Sequence, residues 1–222
     1  MGLELTKYYE ELFSSSNPSL TIEALEKIPC TVTEEMNEDL VRDFSELEVK
    51  EALHHMAPLK APGPDGMPPL FYQQFWEVMK YDVINAVLSW LKTGNLPDLI
   101  NHTLITLVPK VDNPELVTEF RPISLCNVLY KIYSKVLANR LKKILPSLIT
   151  EHQSAFAKDR LISNNIMVAF ETLHHMKNHR SGRHGFMALK LDMSKAYDRV
   201  EWVIWRTLWR EWVFALGGLL LL

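Results

Sequence analysis

Asp192 closes the apolar run FMALKLD (Phe186 to Asp192), and Met193 and Ser194 follow it directly. A strand that ends on an aspartate and runs into a Ser-capped helix places a carboxylate at the rim of a sheet, where ligands bind. Hard divalent cations such as Mg2+ take carboxylate, phosphate and water oxygens, and they offset the charge that builds on a phosphate during transfer. The same aspartate could instead cap a helix or join an ion pair, and Asp198, six residues on, could face Arg199 or solvent. Spacing alone leaves these roles open. His175 and His179 stand at i, i+4, with His174 and His184 nearby, a spacing that metal ligands use. No cysteine or suitably spaced carboxylate completes that set, so they read as solvated histidines. A third feature is electrostatic: from Phe120 to Thr150 the chain carries Arg121, Lys131, Lys135, Arg140, Lys142 and Lys143 and no acidic residue. That composition suits a polyanion such as nucleic acid and equally suits a solvated helix face.

Periodicity shows which elements must hold these groups. An acidic leader with Leu5, Tyr9, Leu12 and Phe13 on one face reads as a helix, broken by the Ser/Asn/Pro stretch after Phe13. Ser45 and Glu48 form an S-x-x-E capping box ahead of Val49, Ala52, Leu53 and Met56, which predicts a short helix running up to Pro58. Five prolines and two glycines between Pro58 and Pro69 then impose a stiff, turn-rich loop. Two helices are expected next, the first lined by Phe71, Phe75, Val78 and Met79 and the second by Ile84, Val87, Leu88 and Leu91, with Gly94 and Pro97 ending the second. The alternating, β-branched HTLITLV from His102 to Val108 predicts a strand with Lys110 at its exit, and residues 111–125 a loop or short hairpin. A strongly amphipathic helix follows, from Leu129 to a stop at Pro146, and a further one carries Ile166, Ala169, Phe170 and Leu173. A polar, His-rich link leads from there into the strand that ends at Asp192.

Composition bounds the rest. With 222 residues, 47% hydrophobic and 23% charged, the chain is long enough for one core of domain size. The net charge of −3 conceals an asymmetry, because residues 1–57 hold 13 acidic and 4 basic side chains against 14 and 20 in the remainder. Cys30 and Cys126 stand far apart without a CxxC partner, which suggests neither a disulfide framework nor a structural zinc site and points to a reducing, intracellular setting, cytoplasmic or nuclear. The longest apolar run, Trp212 to Leu222, is about half of the roughly 20 residues a membrane span needs, so no membrane partner is expected.

Several separate segments resemble, in one order, the reverse-transcriptase motifs of LINE-type (non-LTR) retrotransposons, particularly the plant-like ones. They are LKAPGPDGMPPLFYQQFW, LITLVPK, FRPISL, the HQSAF and NN pieces of EHQSAFAKDRLISNNI, and LKLDMSKAYDRVEW. Any one of these is a common turn or junction, and it is the joint order that carries the resemblance. Lys158 to Arg160, KDR, departs from the family, which usually has a glycine before the arginine. The resemblance implies an RNA-directed DNA polymerase acting on an RNA template, a DNA primer and deoxynucleoside triphosphates, with Mg2+ in a two-metal site. By position, it makes Asp192 the first catalytic aspartate, with the Met193 carbonyl as a second metal contact. Lys110 and Arg121 become the holders of the incoming triphosphate, and Tyr197 becomes the ring that crowds a 2′-hydroxyl. The loop residues Pro62, Gly63, Pro64, Asp65 and Gly66, with Gln153 and Arg160, become template-side contacts. Tyr197 could also be a core-facing tyrosine, and the cations solvated surface charge.

The same resemblance asks for a second carboxylate pair, and no Asp-Asp dipeptide occurs among these 222 residues. The expectation is therefore a truncated reverse transcriptase without polymerase activity of its own, or, in a different class, a non-catalytic module that binds RNA or an RNA–DNA hybrid. The fold expected is α+β: a mostly helical fingers subdomain plus the start of the palm of a right-hand polymerase, with a single incomplete palm strand pair. Its parts are an acidic helical leader (1–44), the fingers region (45–185), the first palm motif (186–203) and an aberrant apolar tail (204–222).

Overall fold

In a computed structural model, the described residues are 2–16, 32–155, 157, 159–179, 185–193, 195–196 and 198–211, the last four for their backbone only. Their elements are α1 (Gly2–Phe13), α2 (Glu34–Val41), α3 (Glu46–His54), α4 (Pro69–Gln74), α5 (Trp76–Thr93), β1 (Thr103–Pro109), β2 (Phe120–Cys126), α6 (Val128–Leu148), α7 (Ile162–Asn178) and α8 (Trp202–Glu211). The chain is α+β and mostly helical, with β1 and β2 paired in an antiparallel hairpin.

The core lies where the apolar stripes of α3, α5 and α6 meet, with α2 laid across α6. Val49, Ala52 and Leu53 of α3, Val87 and Leu91 of α5, and Val128, Ile132, Val136 and Leu137 of α6 are at most 1% exposed. Each such side chain contributes about 1.5–3 kcal/mol relative to exposure, less for the alanine. The box predicted at Ser45 forms in both directions: Ser45 Oγ accepts from the Glu48 amide at 3.3 Å, and Glu48 Oε2 accepts from the Ser45 amide at 2.9 Å. Gly94 ends α5 in the left-handed conformation, φ 72°, which only glycine adopts without strain.

Four expectations need correcting. The helix break falls at Phe75 rather than after Met79, because nothing between Met79 and Ile84 interrupts a helix. Val78 and Met79 therefore belong to α5, and Val78 faces solvent. Pro146 does not stop α6, which runs on to Leu148, since a proline in a final turn forfeits one bond where few remain to lose. Arg140, counted among the surface cations, is 2% exposed and points into the core edge. Finally, residues 185–193 form no strand: the only sheet among the described residues is the hairpin, drawn from residues 103–126 rather than from the palm motif. A strand requires a neighbour for its amides and carbonyls, and no described strand lies beside FMALKLD. Asp192 accordingly sits on an exposed segment without regular secondary structure and not at a sheet rim. The helix expected directly after Ser194 begins only at Trp202, and Ser194 itself lies outside the described residues.

Candidate nucleic-acid and nucleotide site

Pairing of β1 with β2 sets Val108 opposite Arg121 and Pro109 opposite Phe120. One step further, the Lys110 amide donates to the Glu119 carbonyl at 2.7 Å, so Lys110 lies diagonal to Arg121 on the same face and at the same end of the hairpin. Diagonal neighbours of this kind stand about 7–8 Å apart, within reach of one polyphosphate. The Lys110 ammonium rests on the Thr118 carbonyl at 2.7 Å, while the exposed Arg121 guanidinium makes no hydrogen bond or ion pair with a described residue. Glu119, opposite Lys110, turns its carboxylate onto its own backbone, accepting from the amides of Leu116 and Glu115. Those bonds hold its pKa below the usual carboxylate range.

The proline-rich loop is fastened to the junction of β2 and α6. Gly63 approaches so closely that a Cβ there would lie 2.4 Å from the Asn127 nitrogen and 2.4 Å from the Cys126 carbonyl carbon. Asn127 stands at the N-cap position of α6 but does not cap it. Its Oδ1 accepts from the Asp65 amide at 3.2 Å, and its Nδ2 donates to the Ile100 carbonyl at 3.3 Å. Lys131 adds a bond from its ammonium to the Ala61 carbonyl at 3.0 Å. Within the loop, Gly66 (φ 71°) donates to the Gly63 carbonyl, and Asp65 Oδ1 accepts from the Met67 amide. Beneath it Tyr72 is buried, which with the charge of Asp65 pushes its phenol up to about 12.

Sequence reasoning missed Asn127 and Lys131 as loop anchors. An asparagine before a helix reads as a cap, and nothing in the local pattern shows a side chain reaching across 62 residues. The turn after α6 has a similar builder. Arg160 Nη1 donates to the Gln153 carbonyl at 2.8 Å and to the Thr150 carbonyl, and Nη2 to the Pro146 carbonyl at 3.3 Å. Asn165 Nδ2 donates to the His152 carbonyl at 2.9 Å and to Ser154 Oγ at 3.0 Å. The Gln153 side chain, exposed, reaches only the Ala155 carbonyl among the described residues.

The segment around Asp192 is held by the leader. Lys195 packs its ammonium over the rings of Tyr8 and Tyr9, 4.4 and 4.9 Å from their centroids. Glu201 accepts from the hydroxyls of Ser15 at 2.5 Å and Ser16 at 2.6 Å, which draws its pKa down. The same leader helix also packs beside residues 117–119, at the turn end of the hairpin. Asp192 and Met193 are exposed, and Tyr197 lies outside the described residues. No three His, Cys, Asp or Glu residues among the described ones gather to hold a metal ion. Asp192 and the Met193 carbonyl together carry three oxygens, where Mg2+ takes about six donors. The rings of His175 and His179 lie 5.7 Å apart and rest on Phe186, with no third ligand beside them among the described residues. No helix among the described residues is long and apolar enough to cross a membrane.

The two cations thus sit at the turn end of the hairpin, the fastened loop at its other end, where Thr103 pairs with Cys126, and Asp192 on a separate exposed segment. Residues 108–211 match the family described as reverse transcriptase (RNA-dependent DNA polymerase). The chain is 32% identical over 196 residues to the transposon TX1 uncharacterized 149 kDa protein of Xenopus laevis, covering 87% of this chain and 15% of that protein. It is 29% identical over 141 residues to the Pol polyprotein of the type-2 retrotransposable element R2DM of Drosophila melanogaster, covering 64% of this chain and 13% of that one. A third relative, the Pol polyprotein of the type-1 retrotransposable element R2 of Bradysia coprophila, is 26% identical over 73% of this chain and 18% of its own length. The chain therefore spans less than a fifth of each of these relatives. Residues 108–211 therefore belong to the reverse transcriptase family, and the chain as a whole is similar to proteins of transposons and retrotransposable elements.

Proposed function

We propose that these residues form the template- and nucleotide-holding part of an RNA-directed DNA polymerase, together with its first metal-binding aspartate. The observation that carries the reading is the placement of Lys110 and Arg121 on one face and one end of the β1–β2 hairpin. Paired cations there suit a triphosphate, with the arginine offering a planar, bidentate donor set. In this reading 45–185 is the fingers of a right-hand polymerase and 186–203 the first palm motif, with 1–44 a leader that braces both and 204–222 no part of the site. The fastened loop Pro62 to Gly66 and the turn bearing Gln153 face the RNA template, and Arg160 shapes that turn. Tyr197 guards the sugar. Asp192 and the Met193 carbonyl supply part of a two-Mg2+ site whose remaining carboxylates are not among these residues, so the 222-residue polypeptide alone does not extend a primer. Its setting is intracellular, where the RNA template, DNA primer and deoxynucleotides are found.

Primer extension on an RNA template with Mg2+ or Mn2+ tests this in two steps. The chain alone is expected to be silent, and robust synthesis by it would overturn the assignment of an incomplete site. Fused after residue 203 to a family C-terminal part that carries an Asp-Asp hairpin, it is expected to polymerise. In that fusion Asp192→Asn abolishes extension, Arg121→Gln raises the KM for deoxynucleotides, and Tyr197→Ala raises ribonucleotide incorporation. A Tyr197→Ala fusion that unfolds with unchanged sugar preference would return Tyr197 to a core role.

A further inference from the structure

The lysines of α6 separate into two sets once the helix is placed. At about 100° per residue, Lys135 and Lys142 fall within ~40° of Lys131 around the helix axis, turned away from the buried Val136 and Leu137. Arg140 turns inward, and Lys143 flanks the cleft against α2, beside Asp39 and Arg42. The Lys131, Lys135 and Lys142 row spans roughly 16 Å at 1.5 Å per residue, alongside about five phosphates of one strand at 3.4 Å each. Its first member bonds the Ala61 carbonyl, so the row begins at the proline-rich loop. Lys135 and Lys142 have no ion-pair partner among the described residues, and neither β2 nor α6 contains a carboxylate that could neutralise them.

We propose that Lys135 and Lys142, in line with the loop anchor Lys131, form a track for the phosphodiester backbone of a nucleic acid that leaves the loop Pro62 to Gly66 along α6. The track deepens the reading above and rests on it only for the choice of nucleic acid over other polyanions. Two spaced ammonium groups on a straight helix contact phosphates as point charges and read no base, so binding is independent of sequence and steeply dependent on salt.

The test is fluorescence anisotropy of the full chain with a labelled 20-nucleotide RNA and, separately, a 20-base-pair RNA–DNA hybrid between 50 and 200 mM salt. Lys135→Gln/Lys142→Gln is expected to lower the slope of log K against log salt by about 1.8 for the hybrid or about 1.4 for the single strand. The arm that shows the loss identifies the polymer. Lys50→Gln/Lys92→Gln, with the same change of net charge on other helices, is expected to keep the wild-type slope, and Lys135→Arg/Lys142→Arg is expected to restore it. An unchanged slope in both arms, or an equal loss in the Lys50/Lys92 variant, overturns the track. A fusion that fails to polymerise yet shows the slope difference would overturn the polymerase reading alone, and polymerisation with an unaltered slope would overturn the track alone.

Discussion

Replacing the buried Arg140 with methionine is expected to destabilise the fold strongly. Its guanidinium bonds Glu48 Oε1 at 2.8 Å and Oε2 at 2.9 Å and the carbonyls of Leu40 at 2.8 Å, Arg42 at 2.5 Å and Asp43 at 2.9 Å. It also stacks 3.6 Å from the centre of the Phe44 ring. Methionine fills similar space but leaves the end of α2 without donors and the Glu48 charge without its partner, a loss of about 3–5 kcal/mol. For a chain of this size that is roughly 6–20 °C in Tm. The bonds from Arg140 hold the Glu48 carboxyl at about 2 against an ordinary 4.5. A depressed carboxyl stabilises fully above the unfolded value and loses that contribution as pH falls; after solvent screening of this partly exposed carboxylate, about 1–2 kcal/mol is present at pH 7 and disappears between pH 4.5 and 2. Glu48→Gln should therefore be clearly less stable than wild type at pH 7 and converge with it near pH 2. Urea unfolding at several pH values measures both curves. If wild type and Glu48→Gln lost stability in parallel down to pH 2, or if Arg140→Met unfolded within 1 kcal/mol of wild type, the buried cluster would not carry the weight assigned to it.

Gly63→Ala should cost about 1–3 kcal/mol and speed amide exchange through residues 61–67, because its Cβ meets backbone atoms that cannot swing aside; exchange unchanged there would refute the close approach. Asp192→Asn should leave the unfolding midpoint within about 0.5 kcal/mol, since the side chain is exposed, and a large shift would mean that it is buried in a packed site. Arg160→Met should raise exchange at residues 150–155 while lowering global stability by only about 1 kcal/mol, as its bonds serve a turn beside the core; a cooperative loss of the whole fold would place that turn in the core.

Much of the helical core was legible because each of its cues is local. Ser45 and Glu48 lie one turn apart, the apolar stripe of α6 repeats within its own sequence, and Gly94 marks a left-handed end that few other residues tolerate. The hairpin was half legible. HTLITLV identifies β1, but FRPISLC carries a proline and reads as a loop until β1 supplies its pairing. What stayed hidden is long-range. Arg140 looked like one more surface cation in a basic stretch, and only the arrival of α2 and Glu48 turns it inward. Asn127 gave no sequence signal of a loop anchor, and only the approach of Gly63 shows its side chain bonded to the loop. FMALKLD has the composition of a strand, yet composition cannot supply the neighbour that a strand needs.

That last point separates stability from chemistry within the chain. Every side chain of the main core belongs to residues 40–144, and the described residues from 161 onward contribute no buried apolar side chain to it. α7 forms with its amphipathic stripe intact, but Ile166, Phe170 and Leu173 all remain exposed, as do Met187, Leu189 and Leu191 before Asp192. The Asp192 segment is instead tied down by polar and cation–π contacts to the leader, through Lys195 on Tyr8 and Tyr9 and Glu201 on Ser15 and Ser16. Such contacts are weaker and more salt-sensitive than a packed core. Substitutions at Arg140 or Gly63 therefore act on the folding of the loop, hairpin and lysine track, whereas Asp192 can be altered, or its segment repacked against another surface, with little effect on that folding. In the proposed site the residues assigned to phosphate and the aspartate assigned to metal therefore depend on different contacts, and each can be perturbed and measured without the other.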